Sequence, residues 1–334
     1  MRILVTGHTG FKGSWLCLML KTLGHEVYGI GLNPLKNGVF ELASVGEICT
    51  SDARFDIRDK EMLDTEIRRI QPEVVLHLAA QALVLNSFEQ VYETYSTNVL
   101  GTLNVLDSSL KSDSLKGIVV VTTDKVYENS TNKMFVETDV LGGNDPYSSS
   151  KALADKLAQD WSLHNPSISV GIARAGNVIG GGDVSPNRLI PDIIAAIKDK
   201  RVPLIRNVNS VRPWQHVLDC LNGYLKLMDY VVSGRSGEFN FGPLSQDFFS
   251  VRDVVSYISK KLNFNNWTVL ETPDNKEANF LALDSTKASQ VLNWRNKLNY
   301  EEGIDLTLAW EFTSPITGNK QKLSIEQISN FLIN

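Results

Sequence analysis

The sequence predicts an α/β protein in which a doubly wound parallel sheet is followed by a smaller α+β lobe. Short, continuously apolar segments alternate with segments of helical apolar spacing over the first half of the chain. This alternation is typical of parallel strands that are covered by helices on both faces. The alternation is lost after the triplet Gly180 to Gly182. We therefore predict two domains, 1–180 and 181–334, and allow for elements that cross between them.

The elements are predicted in chain order from their apolar patterns. In the first domain, strands are expected near residues 2–5, 27–30, 74–78, 117–121 and 168–173. Helices are expected near 11–23, 60–70, 92–110 and 147–164. In the second lobe, helices are expected near 189–197, 217–231 and 251–262, and short strands near 202–205, 239–242 and 269–270.

Composition and charge narrow the classes of partner. The 334 residues carry a net charge of −5 and show no basic stripe, so neither nucleic acid nor an anionic membrane is expected as a partner. No apolar run is long enough to span a bilayer. The scattered Cys17, Cys49 and Cys220 indicate a reducing compartment, and we expect a cytoplasmic protein. The five histidines lack metal-ligand spacing, so no metal is expected.

A glycine-rich turn lies between the first strand and the first helix. In Thr6-Gly-His-Thr-Gly-Phe-Lys-Gly13, Gly7 permits the tight turn, Gly10 lets the backbone approach a diphosphate and Gly13 lets the helix pack on the strand. The helix N-terminus then faces the phosphates. The context of strand, turn and helix favours a Rossmann-type dinucleotide site, and a purely structural turn is the alternative.

The adenosine end of such a cofactor is less strongly marked. Asn33, past the second strand, offers an amide for a ribose hydroxyl, without the carboxylate that often stands there. No arginine stands there for a 2′-phosphate, so NAD is favoured over NADP. Further candidates beside the cofactor are Asp56, Ile57, Leu78, Ala79 and Ala80. A turn or cap role for Asp56 and simple close packing of 78–80 are the alternatives.

A tyrosine and a lysine four residues apart, Tyr147 and Lys151, share one face of a predicted helix. The ammonium is expected to lower the phenol pKa, and the hydroxyl of Thr123 to share the proton. Asp124 and Lys125 follow the same predicted strand and reach the same edge of the sheet. These residues form an acid/base that could deprotonate a sugar hydroxyl while hydride leaves the same carbon.

Polar residues after other elements are candidates for holding the substrate. Arg174 and Asn177 follow a further strand, and Arg212 lies in the second lobe. A guanidinium can bind a phosphate with two hydrogen bonds, although a surface arginine is the alternative for Arg212.

Together these segments resemble the extended short-chain dehydrogenase/reductases that act on nucleotide sugars. The resemblance covers nearly the whole chain and includes Leu283-Asp-Ser-Thr-Lys-Ala288 and Leu292-Asn-Trp294. More narrowly, four stretches resemble the branch that dehydrates CDP-glucose: Val5–Leu16, Asp124–Asn129, Asp145–Lys151 and Ala173–Asp183. Arg188–Asp192 and Arg212–Val217 complete the set.

The resemblance implies NAD as cofactor, a CDP-hexose as the substrate partner, and a complete set of site residues. The implied catalytic residues are Thr123, Asp124, Lys125, Tyr147 and Lys151. The implied cofactor-binding residues are Gly7, Thr9, Gly10, Phe11, Lys12, Gly13, Asn33, Asp56, Ile57, Leu78, Ala79, Ala80, Asn98, Thr122, Tyr147 and Lys151. The implied substrate-binding residues are Gln81, Arg174, Asn177, Leu189, Arg206 and Arg212.

The implied reaction is oxidation at C4 with Tyr147 as base, loss of water across C5 and C6, and return of the hydride to C6. Asp124 and Lys125 would handle the protons of the elimination, and their separate roles stay open because such a pair titrates as a unit. A 4-epimerase or 4-reductase needs no elimination pair and is the alternative within enzymes. A non-catalytic NAD-binding regulatory protein is the alternative outside them. The family usually pairs through helices here expected at 92–110 and 147–164, which implies a homodimer or homotetramer.

Overall fold

A computed structural model describes residues 1–128, 133–243, 248–264, 266–270, 281–313 and 319–333. Its centre is a seven-stranded parallel sheet, whose strands are β1 Arg2–Thr6, β2 Glu26–Gly31, β3 Ser51–Arg54, β4 Val74–His77, β5 Gly117–Val121, β7 Ser169–Ala175 and β12 Gly237–Phe241. The strand order across the sheet is β12-β7-β5-β4-β1-β2-β3. The doubly wound parallel sheet predicted from the sequence is thereby confirmed.

Helices cover both faces of this sheet. One face carries α1 Phe11–Thr22, α10 Val217–Val232 and α14 Lys320–Ile333, whose apolar side chains share a core with β1, β4 and β5. The other face carries α4 Lys60–Ile70, α7 Gly101–Ser109 and α8 Pro146–His164. The strands are buried on both sides, which is why they read as unbroken apolar runs in the sequence.

The remaining elements are short or belong to the second lobe. The helices are α2 Val39–Leu42, α3 Val45–Ile48, α5 Val84–Glu89, α6 Val91–Tyr95, α9 Leu189–Lys198, α11 Val251–Leu262, α12 Thr286–Leu292 and α13 Tyr300–Phe312. The strands are β6 Met134–Phe135, β8 Val178–Ile179, β9 Leu204–Ile205, β10 Val211–Pro213, β11 Gln215–His216, β13 Phe248–Ser250, β14 Thr268–Val269 and β15 Ala282–Leu283. They form two-stranded pairs, of which β10–β13 is antiparallel and the other three are parallel.

The second half of the chain returns to the first domain, as the prediction allowed. The segment predicted as a strand of the smaller lobe is β12, which pairs with β7 and completes the main sheet. Both α10 and α14 pack against α1. The smaller lobe retains its own apolar core, formed by α9, α11 and α13 with β9.

The helix predicted at 92–110 consists of three parts. A π-helical turn, Ser96–Leu100, joins α6 to α7. Such turns widen a helix locally and are frequent at functional sites. This one buries Asn98, one of the predicted cofactor residues. Within the described part of the chain, no helix is both long and apolar enough to cross a membrane.

Candidate active site

The predicted site residues meet at the carboxyl-terminal edge of the central sheet. The glycine turn follows β1, Thr123 and Asp124 follow β5, and Tyr147 lies in the first turn of α8. That helix begins at Pro146 because Asp145 caps it: its carboxylate accepts a hydrogen bond of 2.9 Å from the amide of Ser148. Ligands of doubly wound sheets bind at this edge.

The glycine turn forms a cradle with room for a diphosphate. Gly7 has a φ of 73°, and a Cβ there would lie 2.6 Å from the amide nitrogen of Ala79. A Cβ on Gly13 would collide with the carbonyl of Gly7, so α1 packs directly on the turn. At Gly10, however, a Cβ would meet only the Gly7 oxygen, at 3.4 Å. The space over the N-terminus of α1 therefore fits the diphosphate of a dinucleotide.

Other residues of the turn lie along the walls of this cradle. The hydroxyl of Thr9 lies beside Gly31 at the end of β2, where an added Cβ would be 3.1 Å away. The ring of Phe11 lies beside Gly180, at 3.0 Å from the corresponding position. Thr9 thus faces the adenosine side of the turn, and Phe11 faces the second lobe.

Asn98 holds the loop that follows β4. Its amide accepts from the backbone of Gln81 at 2.8 Å and donates to the same backbone at 3.0 Å. It also donates to Ser150 of α8 at 2.9 Å. Asn98 thereby fixes the segment that starts with Leu78, Ala79 and Ala80, which runs past the glycine turn. The side chain of Gln81 is hydrogen-bonded to the backbone of Leu83 in its own loop and to the hydroxyl of Thr94 in α6.

At the adenosine end, Asn33 is exposed two residues beyond β2. Asp56 follows β3 and is hydrogen-bonded to Arg58, which lowers the pKa of the carboxyl. The side chain of Ile57 is buried in the core against Gly101. Asn33 is therefore the most accessible of the three, and any contact of Ile57 with a cofactor would involve its backbone.

Thr123 links the two candidate acid/base groups. Its hydroxyl donates to a carboxylate oxygen of Asp124 at 3.0 Å and is also hydrogen-bonded to Tyr147. All three side chains are nearly buried. Burial raises the pKa of Tyr147 to about 12, and the hydrogen bond between Tyr147 and Thr123 opposes that rise.

Lys151 is buried and hydrogen-bonded to the backbone of β5. Its ammonium donates to the carbonyl of Val121 at 2.7 Å, and burial lowers its pKa to about 7 with a further contribution from the charge of Lys12. Desolvation outweighs the charges that act on Tyr147, so its pKa is raised in the free protein. The expected effect of Lys151 on that pKa stays a prediction. A carboxyl such as Asp155 acts in the opposite direction on Lys151.

Asp124 is buried close to three cationic side chains. Burial raises its pKa, while the charges of Lys125, Arg212 and Lys12 oppose the increase. A Cβ on Gly176 would lie 2.8 Å from its carboxylate, so the turn after β7 closes over it. A carboxyl with a raised pKa is suited to donate a proton, which is the role needed at a departing hydroxyl.

Three of the predicted substrate residues flank Asp124 or the approach to it. Arg212, in β10, is almost buried and close enough to Asp124 for its charge to act on that carboxyl. Asn177 follows Gly176, and its carbonyl accepts from Gln215 at 3.3 Å. Leu189 is half-buried at the start of α9. Arg206 follows β9 and its charge acts on Asp192 of α9, so it lies in the second lobe.

Arg174 is not available to a substrate, and its predicted role is corrected. The side chain is fully buried, with hydrogen bonds of 2.8 Å to both oxygens of Asp155. It also donates to the hydroxyl of Tyr127 and to the carbonyl of Glu137, each at 2.9 Å. Thr122, a predicted cofactor residue, donates to Asp155 as well, at 3.0 Å. Arg174 and Thr122 therefore belong to a buried network that supports the strand ends.

Two residues at this edge were not predicted from the sequence. Arg188, just before α9, lies close enough for its charge to lower the pKa of Tyr147. Tyr224 of α10 accepts a hydrogen bond of 3.1 Å from Lys12. In a sequence, an arginine just before a helix, such as Arg188, is only a weak indication of a binding site. A tyrosine within an apolar helix, such as Tyr224, gives no indication of one. Among the described residues, no three or more of the His, Cys, Asp and Glu side chains are grouped as a metal site.

The comparison with known families agrees with this geometry. The model of the NAD-dependent epimerase/dehydratase family matches residues 3–242, which include the glycine turn and both sides of the catalytic edge. The chain belongs to this family. The NAD-dependent epimerases and dehydratases use the cofactor that was predicted from the glycine turn, so that prediction is confirmed.

Individual members of the family resemble the chain along its length. The CDP-glucose 4,6-dehydratase of Salmonella typhimurium is 39% identical over 323 residues, which cover 92% of this chain and 90% of that protein. The structure of DesIV, a dTDP-glucose 4,6-dehydratase from Streptomyces venezuelae with NAD and TYD bound, matches with a TM-score of 0.82 at 26% identity, over 93% of this chain and 96% of that one. The UDP-glucose 4-epimerase of Thermotoga maritima with UDP-glucose matches with a TM-score of 0.82 at 25% identity, over 92% and 97%.

Proposed function

We propose that this chain is a nucleotide-sugar 4,6-dehydratase that converts CDP-glucose to CDP-4-keto-6-deoxyglucose. The observation that carries the proposal is the carboxyl of Asp124, buried beside Thr123 and Tyr147 with a raised pKa. A 4-epimerase or 4-reductase eliminates no water and needs no such acid, whereas a dehydratase needs an acid at the departing hydroxyl. The 39% identity to a CDP-glucose 4,6-dehydratase supports the choice of substrate.

The side chains divide the proton transfers between them. Tyr147 takes the proton of the C4 hydroxyl, and Thr123 holds the phenol and the hydroxyl in line. NAD, which the glycine turn would hold, would supply the acceptor for the C4 hydride and would return that hydride to C6. Once C4 is a ketone, the C5 proton is acidic, and Lys125 is placed one residue beyond Asp124 to remove it. Asp124 donates its proton to the C6 hydroxyl, which leaves as water.

The function is tested with CDP-glucose and purified protein. We expect a product lighter than the substrate by one water, and in deuterated water a single deuterium at C5, where the proton is removed and replaced. UDP-, GDP- and dTDP-glucose serve as parallel substrates that test which nucleotide base the protein accepts. A product of unchanged mass that is epimeric at C4 would favour the epimerase, and NAD binding without turnover of any of the four would favour a regulatory protein.

Replacing Asp124 by Asn should stop the reaction after the first step. Without an acid at C6 we expect dehydration to slow by roughly 10²–10⁴-fold while C4 oxidation continues, so reduced cofactor accumulates and is seen as NADH absorbance. Lys125→Ala should behave in the same way if Lys125 removes the C5 proton. Lys116→Ala, an exposed lysine paired with Glu73, is the matched control. Dehydration at the parental rate by Lys125→Ala would exclude Lys125 as the base.

Arg212, together with Asn177, is proposed to hold the diphosphate of the substrate. Arg212→Ala should weaken the binding of CDP-glucose by about 1.5–3 kcal/mol, the contribution of a charged hydrogen bond. Calorimetric titration of the NAD-loaded protein measures this change directly. An affinity equal to that of the parent would remove Arg212 from the substrate site.

We also propose that the protein is a homodimer or homotetramer in the cytoplasm, where it would serve deoxysugar biosynthesis. The helices expected to form the interface between subunits are α8 and the segment from α6 to α7, and they pack against each other within one subunit. They leave apolar side chains uncovered, including Tyr92 at 82% and Leu163 at 77% exposure. Leu100→Asp combined with Leu153→Asp should yield a monomer in light scattering after gel filtration. Leu204→Asp, an exposed leucine of β9, should not change the mass. A monomeric parent protein would contradict the proposal.

A further inference from the structure

An arginine lies at the adenosine end of the candidate cofactor site, although none directly follows β2 in the sequence. In the register of the sheet, Arg54 at the end of β3 is aligned with Gly31 at the end of β2. Its guanidinium donates to the carbonyl of Leu32 at 3.1 Å, one residue before Asn33, the candidate for the ribose hydroxyls. The side chain is 27% exposed, so it is accessible to a ligand at this strand end.

The guanidinium of Arg54 is held by a neighbouring carboxylate. Its Nε and Nη2 atoms lie 2.5 and 2.6 Å from the two carboxylate oxygens of Asp52, so the two side chains form a bidentate ion pair on one face of β3. The ring of Phe40, in α2, lies over the guanidinium, with its centre 4.6 Å from the guanidinium carbon. Together with the bond to Leu32, each nitrogen of the guanidinium has an acceptor within the protein.

Asp52 is fixed in turn by the glycine turn. Its carboxylate accepts a hydrogen bond of 2.7 Å from Nε2 of His8, whose side chain is fully buried. Burial lowers the pKa of His8, so the ring is neutral near neutral pH and keeps its proton on the nitrogen that faces the carboxylate. Burial raises the pKa of Asp52, but the hydrogen bonds from Arg54 and His8 outweigh that effect and leave the pKa lowered. Asp52 is therefore charged, and its pair with Arg54 carries no net charge.

We propose that Asp52 is a specificity-determining residue for the cofactor: by binding Arg54 it withholds the guanidinium from a 2′-phosphate, and the site thereby selects NAD over NADP. An arginine near the end of the second strand is the group that accommodates the 2′-phosphate of NADP in dinucleotide-binding folds. Here a phosphate would have to compete for Arg54 with a carboxylate that already binds it through two charged hydrogen bonds. The inference goes beyond the proposed function, because it concerns the cofactor and assumes nothing about the sugar substrate.

Removing the charge of Asp52 should release Arg54 to the phosphate. Asp52→Asn is similar in size and can still accept the hydrogen bond from His8. In this variant the affinity for NADP relative to NAD should rise by roughly 10- to 100-fold, the range for a hydrogen bond to a charged group. The double variant Asp52→Asn/Arg54→Met should lose this gain. Glu26→Gln makes the same change of charge at the opposite end of β2, at the exposed surface, and should leave the affinity ratio as in the parent.

The measurement needs no sugar substrate. Calorimetric titration of the cofactor-free protein with NAD and with NADP gives the two affinities, and their ratio is compared between the parent and the variants. Thermal melting shows which variants are folded. Asp52→Ser also removes the carboxylate, so it should shift the ratio in the same direction and replaces Asp52→Asn if that variant does not fold.

Three results would overturn the inference. The first is a parent protein that binds NADP as tightly as NAD, and the second is an affinity ratio in Asp52→Asn equal to that of the parent. The third is a gain that persists in Asp52→Asn/Arg54→Met, because Asp52 would then act by repelling the phosphate rather than by holding Arg54. None of these results bears on the dehydration of CDP-glucose. Conversely, a protein that turns over no nucleotide sugar but shows the expected affinity ratios would refute the proposed function and leave the role of Asp52 intact.

Discussion

Tyr147→Phe is expected to lower kcat for dehydration by roughly 10³-fold, within the range by which a positioned general base accelerates proton transfer. The substitution removes one hydroxyl from a nearly buried ring and leaves the packing intact. Without it, no group is placed to take the C4 proton, and Thr123 keeps its bonds to the carboxylate of Asp124 and the amide of Lys125. The measurement is the rate of formation of the dehydrated product by mass spectrometry.

The pH dependence of the reaction rate of the parent protein should reflect the titration of Tyr147. Because burial raises the pKa of Tyr147 to about 12, the phenol of the free protein is protonated near neutral pH. Higher pH populates the phenolate, so the rate should increase from neutral toward alkaline pH. The matched control is Tyr28→Phe, a tyrosine of β2 whose hydroxyl bonds Glu26 at the exposed surface. Parental activity in Tyr147→Phe would end the assignment of Tyr147 as the base.

Arg174→Met is expected to destabilise the protein by about 3–5 kcal/mol, because it leaves the carboxylate of Asp155 buried without its partner. Both side chains are fully buried, and Asp155 is bound by Arg174 through two hydrogen bonds of 2.8 Å. Urea denaturation followed by circular dichroism measures the change in the free energy of unfolding. The double variant Arg174→Met/Asp155→Leu removes both charges and should recover part of the loss.

An exposed ion pair provides the comparison for this change in the free energy of unfolding. Lys156 and Asp160 form a pair on the same helix, α8, with more than half of each side chain exposed. Lys156→Ala should change stability by no more than about 0.5 kcal/mol, as for most surface pairs. If Arg174→Met has an effect as small as that of Lys156→Ala, the buried network does not stabilise the strand ends.

The sequence predicted the central sheet well because its signals are local. The glycine turn, and the unbroken apolar runs of β4 and β5, are decided by neighbours along the chain. The assignment of β12 to the main sheet was missed because it depends on pairing with β7, more than sixty residues earlier. The π-helical turn at Ser96–Leu100 also has no local sequence signal.

For the candidate site, residue types and their positions after strands predicted which side chains meet at the edge of the sheet. Their availability to a ligand and their pKa values depend on burial, which the sequence does not show. An arginine after a strand has the same sequence pattern whether it binds a phosphate or an internal carboxylate, and Arg174 has Asp155 as its partner. The pKa of Tyr147 depends on how much solvent it has lost, which spacing to Lys151 does not encode. The roles of the individual residues in cofactor and substrate binding stay predictions until the variants are measured.

The return of β12 to the edge of the sheet has a consequence for biosynthesis. A nascent chain that has left the ribosome only as far as residue 180 holds six of the seven strands, and β7 still has a free row of amides and carbonyls. The apolar face of α1 also remains uncovered until α10 and α14 have been synthesised. Open strand edges and uncovered apolar helices are the features that drive association between incomplete chains. Vectorial folding of this domain therefore cannot finish before α10, β12 and α14 have emerged, and a product truncated near residue 180 would expose both the strand edge and the helix face.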